Sequence, residues 1–154
     1  MVSPEMLRRY PFFSFMNHVQ LHEVAMITEE IAYEAGAVLF TTGDAANNLF
    51  LLREGGVELH FEVTDERGME KRQDFLVGMI NPGEMFGISA LIRPCIYTTS
   101  ALTSDTSQLL VLDAVELRAL CEKDTSLAAE WQRHIAEVTL ERLNFTRIQL
   151  LAAA

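Results

Sequence analysis

One stretch, Asn81–Ala101 (NPGEMFGISALIRPCIYTTSA), holds a Pro-Gly pair at 82–83, a Phe-Gly pair at 86–87 and a β-prone run from Tyr97. Between them Ile88–Leu91 reads as a short apolar turn. Such a layout brings several backbone N–H groups to the start of a helix of about one and a half turns, where an anion is held. The other chemistry-bearing residues form weaker sets. His18 and His22 stand four apart, a spacing that binds metal on a helix. No His-Glu-x-x-His pattern accompanies them, so an exposed helical pair is expected. His60 alternates with Glu58 and Glu62 along a strand, which places all three on one face. A metal-dependent barrel enzyme needs a His-x-His pair with a further Glu and His, and one His alone falls on these strands. Cys95 and Cys121 lack metal spacing and an evident His partner, and read as free thiols. Neither a Gly-x-Ser-x-Gly elbow nor a Gly-Lys-Ser/Thr loop occurs. The residues point to binding, with no metal and no catalytic set, and the chain is expected not to be an enzyme.

The length of 154 residues suits one domain with a substantial core, and the 49% apolar and 22% charged residues are ordinary for a globular chain. No apolar run approaches the roughly 20 residues that a membrane span needs. The amino end, MVSPEMLRRYPFF, lacks the apolar core and cleavage site of a secretory signal. A cytoplasmic location follows as the expectation. The net charge of −10 and the lack of a Lys/Arg cluster weigh against direct contact with nucleic acid.

Three segments must position the anion-binding stretch: 1–28, 29–112 and 113–154. Leu7–Tyr10 reads as a short helix ended by Pro11. Asn17 opens a second helix with Gln20 as its capping-box partner, and Val19, Leu21, Val24, Ala25 and Ile27 form its apolar side. From Glu29 onward the pattern changes to short strands at 31–34, 38–41, 49–53, 56–63, 71–79, 97–102 and 108–112, with a polar hairpin tip at Asp65–Gly68. Strands at this spacing imply a sandwich or barrel, here an eight-stranded jelly roll. Asp113 and Glu116 form a second capping box, opening a helix that runs to about Cys121. Ser126–Leu151 then reads as one long helix with two apolar stripes. Leu127, Trp131, Ile135, Val138 and Phe145 lie on one, and Ala136, Leu140, Leu143 and Leu151 roughly opposite. Two stripes need two partners: the body of the domain, and either a second copy of the helix or the amino-terminal helices.

The order of elements, together with Glu34-Ala35-Gly36-x-Val38-Leu39-Phe40-x-x-Gly43-Asp44, Leu49–Leu52 with Gly55, and Pro82-Gly83-x-x-Phe86-Gly87, resembles the cyclic nucleotide-binding domain family. The resemblance runs from about Leu7 into the last helix. It implies a mainly β fold with flanking α: a jelly roll (double-stranded β-helix) with amino-terminal helices and a long carboxy-terminal helix. It also implies a ligand held at the phosphate-binding cassette, written FGE-x-A-L followed by R-[AST]-A. Phe86, Gly87, Ala90 and Leu91 keep that frame, but Ile88 replaces the ribose-binding Glu and Tyr97 the phosphate-binding Arg. Losing a charge-assisted bond of about 1.5–3 kcal/mol should weaken cyclic nucleotide binding by at least about tenfold. Ser89, Tyr97, Thr98, Thr99 and backbone N–H groups are the remaining candidates, joined by Arg93 if it swings inward, although beside Pro94 it is expected to face solvent. The resemblance further implies that an aromatic of the last helix, Trp131 or Phe145, caps a bound base, although a place in the core is the plainer expectation. Many relatives carry a helix-turn-helix after the sensor; with Ala154 ending the chain, none is expected here.

The expected function is that of a sensor. A small anionic ligand, with cAMP or cGMP as candidates, binds at Gly87–Tyr97 and repositions the carboxy-terminal helices, whose state a regulatory partner reads. A homodimer through the last helix is expected. The alternative is a degenerate pocket whose domain serves only dimerisation or protein interaction.

Overall fold

Two unbroken apolar runs, Leu49–Leu52 and Leu109–Leu112, dictate how the layers stack. A strand wet on one face alternates polar and apolar residues, so a run of four apolar residues implies cover on both faces. The computed structural model, which describes residues 1–63 and 73–154, shows that cover. Leu49, Leu51, Leu110 and Leu112 turn outward into a core shared with the helices. Phe50, Leu52 and Leu109 turn inward, into a second core between the two sheets.

The sheets are four-stranded and antiparallel. One is ordered β1 (Thr28–Tyr33), β8 (Ser107–Asp113), β3 (Asn48–Glu54) and β6 (Met85–Phe86). The other is ordered β2 (Val38–Phe40), β7 (Ser100–Thr103), β4 (Val57–Val63) and β5 (Gln73–Ile80). This is the expected jelly roll. β3 is central, pairing Phe50 with Val111 on one side and with Phe86 on the other. The sequence reading missed β6, because two residues carry no periodicity. It also began the seventh strand too early: Tyr97, Thr98 and Thr99 precede β7, which starts at Ser100. The hairpin tip at 65–68 lies outside the described residues. On β4, Val57 and Leu59 are buried while Glu58 and His60 lie on the other face. His60 bridges Glu58 (3.0 Å) and Asp74 of β5 (3.2 Å).

Helix α1 (Pro4–Arg8) is followed by a 3-10 turn at Pro11–Phe13 and then α2 (His18–Met26). The capping box of α2 is complete: Gln20 N donates to Asn17 Oδ1 at 2.9 Å and Asn17 N to Gln20 Oε1 at 3.0 Å. Leu21, Val24 and Ala25 are buried, but Val19 points to solvent. His18 and His22 are both exposed, and His18 Nδ1 accepts from Arg8. The second capping box forms by half. Asp113 accepts from Glu116 N, while its own N–H goes to Ile27 O at 2.9 Å as β8 closes on the roll. Helix α3 (Ala114–Lys123) therefore starts where expected, and α4 runs Thr125–Ala153 from an Asp124 cap.

Along α4, Leu127, Trp131 and Ile135 are buried. The rings of Phe12, Phe13 and Phe15 pack on Trp131 with centroids 5.2, 6.2 and 5.9 Å away. The amino-terminal segment thus covers the first stripe, not the second. Leu140, Leu143 and Leu151 remain exposed, as does Phe145 beyond the end of the covered stripe.

Candidate ligand-binding site

Gly83 closes the Pro-Gly turn by donating to Leu52 O at 2.7 Å, and β6 then delivers Phe86 into the inner core. The chain reverses at Gly87, whose φ of +74° suits glycine. A Cβ there would lie 3.0 Å from Phe50 Cδ2 and 3.3 Å from Asn48 O, so no side chain fits without displacement. Ile88–Leu91 follow as a 3-10 turn of four residues, tighter than the expected helix.

A cleft of about 300 Å³ opens beside this turn. Gly87, Ile88, Ser89, Tyr97, Thr98 and Thr99 line it, facing Phe40, Leu59 and Val77 of the roll and Thr139, Arg142, Leu143 and Thr146 of α4. Six of the ten site residues expected from sequence thus meet in one place. The other four do not reach it. Phe86, Ala90 and Leu91 are buried as frame, because the turn packs its apolar side on the two cores. Arg93 is exposed, two residues past the end of the turn. A larger cleft of about 630 Å³ lies between α4 and the β5–β6 turn, with Phe145 and His134 in its wall, and holds none of the ten.

Tyr97 has a framing role. Its ring stacks on Phe40 with centroids 3.8 Å apart and planes 10° from parallel. Its hydroxyl donates to Asn48 O at 2.6 Å and accepts from Asn48 N at 3.3 Å. Burial holds the phenol above its ordinary pKa, against the opposing effect of the Asn48 bond, so it is a neutral group already paired. Ile88 adds an apolar wall. Ser100, which opens β7, is buried, and its hydroxyl accepts from the Thr42 backbone N–H at 3.0 Å and pairs with the Thr42 hydroxyl at 3.2 Å. Trp131 lies wholly in the helical core, away from both clefts, and cannot cap a ligand there.

Sequence reasoning missed the grip of the last two helices on the backbone of the cassette and of the strand that leads into it. From α3, Arg118 Nη1 donates to Ala90 O at 2.7 Å and to Ala46 O at 3.3 Å. From α4, Gln132 Nε2 donates to Leu91 O at 3.0 Å and Arg142 Nη2 to Met85 O at 2.5 Å. Arg142 carried a sequence signal. It lies four residues after Val138 and seven after Ile135, so a charge continues an otherwise apolar stripe. Burial lowers its pKa, while Glu84 and Glu141 act in the opposite direction. Arg118 carried no comparable signal, since its role depends on which turn α3 meets.

A jelly roll whose Phe-Gly turn borders a small cleft, with a long helix across it, is the frame of a small-ligand-binding domain. The chain belongs to the cyclic nucleotide-binding domain family: residues 30–124 match that family's domain model. It is 34% identical to a candidate cyclic nucleotide-binding protein from Geobacter metallireducens, whose crystal structure superposes with a TM-score of 0.79. That match covers 93% of this chain and 99% of the other. The chain is 26% identical to a candidate potassium channel protein of Rhodopseudomonas palustris, over 93% of its own length and 33% of that protein's. It is 23% identical to the cAMP-dependent protein kinase regulatory subunit of Schizosaccharomyces pombe, over 73% of its length and 25% of the relative's. The chain therefore spans a third and a quarter of the curated relatives it matches. No helix among the described residues is long and apolar enough to cross a membrane.

Proposed function

We propose that this chain is a non-enzymatic, ligand-sensing regulatory domain that acts in the cytoplasm. It binds a small anionic ligand of the cyclic nucleotide class, cAMP or cGMP being candidates, in the cleft between Gly87–Thr99 and α4. The observation that carries this reading is the triple grip of α3 and α4, on the cassette through Arg118 and Gln132 and on β6 at its entrance through Arg142. A ligand that shifts the cassette must work on helix docking at the same time, which gives it different affinities for two helix positions. One relative is named as the regulatory subunit of a cAMP-dependent protein kinase, which supports the ligand class. Output passes through the exposed part of α4, which forms a homodimer and is read by a regulatory protein partner; nucleic acid is not contacted directly. Residues 1–28, 29–112 and 113–154 act as helical cover, sensor roll and reporter of one unit.

A ligand that binds the native state adds about 2.7 kcal/mol of stability at a hundred times Kd and so raises the melting temperature. Melting curves against millimolar cAMP and cGMP test the reading, and a dose-dependent rise is expected. A second reading is favoured by Ile88 and by the committed Tyr97 hydroxyl. There the pocket is degenerate, dimerisation through α4 or interaction with another protein is the whole function, and the curves would not move.

A further inference from the structure

Arg142 is the one charged residue among those described that line the 300 Å³ cleft, and none of its neighbours there is acidic. It occurs in a chain of net charge −10. Its Nε is buried and meets no acceptor among the described residues. No carboxylate among them lies within ion-pair distance of the guanidinium, whose one hydrogen bond among the described residues runs from Nη2 to the Met85 carbonyl. A buried guanidinium is ordinarily paired with an anion and uses most of its five donors, because leaving charge and donors unmatched is costly. Glu84 and Glu141 act on it only from beyond ion-pair distance, across the larger cleft whose wall Arg142 shares, so Arg142 is a fork with one tine committed. Tyr97, on the opposite wall, brings no charge and has its hydroxyl engaged by Asn48.

We propose that Arg142 is the anion receptor of this cleft: it takes the phosphoryl group of the ligand, while Phe40, Leu59, Val77 and Leu143 take an apolar body. The inference rests on the sensor reading above and adds to it the residue that holds the charge. It also places the receptor on the reporting helix itself. The bond to the Met85 carbonyl docks α4 beside β6, and an anion in the cleft draws on the same guanidinium. Ligand charge therefore acts on α4 directly, in addition to any path through the 3-10 turn. A bidentate guanidinium–phosphoryl contact has the geometry for this role, which a lysine matches in charge alone.

The test uses the whole chain, with cAMP and inorganic phosphate as probes and adenosine as the uncharged control. Melting shift and calorimetric affinity are measured for wild type, Arg142→Gln, Arg142→Lys and Arg133→Gln, the last removing an exposed charge from the same helix. The expected result is stabilisation of wild type and Arg133→Gln by at least one anionic probe and none by adenosine. Arg142→Gln should bind about ten- to a hundredfold more weakly, with Arg142→Lys between. Should the Arg142 variants not fold, the arginine Nε resonances of wild type supply the answer, since the Arg142 signal must move as phosphate or cAMP is added. Equal binding by wild type and Arg142→Gln, or an unmoved Nε signal on a binding probe, overturns this proposal and leaves the sensor reading standing. No response of wild type to either anion overturns both.

Discussion

Gln132, on the second turn of α4, donates its side-chain amide to the carbonyl of Leu91, the last residue of the cassette turn, at 3.0 Å. Leu91 itself is buried in the helical core with Trp131 and Ile135 on either side of Gln132 in sequence. One short contact thus ties the end of the candidate site to the helix that would report on it. Replacing Gln132 with Ala leaves the Leu91 carbonyl short of its partner, at a cost of about 1 kcal/mol. Hydrogen exchange of the amides at Ala90 and Ile92 should accelerate in that variant while those of β3 and β8 stay protected. Unchanged exchange at both amides would mean the contact holds nothing in place.

Gly87→Ala tests the geometry of the cassette. The new Cβ would meet Phe50 and the Asn48 carbonyl at a φ of +74°, so strain and contact add. A loss of about 1–3 kcal/mol in urea unfolding is expected, together with loss of any ligand-induced melting shift. A variant as stable as wild type would show that the turn relaxes freely.

The dimer is tested on the exposed stripe of α4. Leu140, Leu143 and Leu151 are 55, 45 and 76% exposed. If two copies pair there, light scattering gives twice the 17.3 kDa chain mass. Leu140→Glu with Leu143→Glu should then give monomers without loss of fold, since neither residue is in a core. A wild type that is monomeric at high micromolar concentration would remove the dimer from the proposal.

Acid should loosen the junction of α2 and α4. Asp124 accepts from Gln20 Nε2 at 2.9 Å and from Leu127 N at 3.1 Å, and these bonds, that to Gln20 foremost, hold its carboxyl below the ordinary 3.8. A carboxyl whose folded pKa is depressed contributes stability above its ordinary value and loses it as pH falls through the folded one. Stability should therefore drop more steeply below about pH 4 in wild type than in Asp124→Asn, which cannot titrate. Parallel acid limbs in the two proteins would rule Asp124 out as a source of that drop.

Local chemistry made much of this protein legible in its sequence. Asn17 and Gln20 satisfy each other across one turn, glycines and prolines break the chain between strands, and the apolar runs at 49–52 and 109–112 demand cover on both faces. Each of these signals is decided within a few residues, so the helices and a roll of short strands could be read directly, whereas the frame of the cassette followed from its resemblance to a known family. The places where the reading slipped are those where distant segments decide. β6 is two residues long and exists because β3 offers it an edge. The Asp113 N–H leaves its capping box for Ile27, since β8 must close against the amino-terminal strand. Tyr97 lines the cleft, but only the fold brings Asn48 to its hydroxyl. Arg142 shows both sides: its place on the apolar stripe is written in the spacing of α4, but its meeting with the cassette is not. Spacing along a helix sets which face a charge occupies, whereas the packing of α4 across the roll sets what that charge meets.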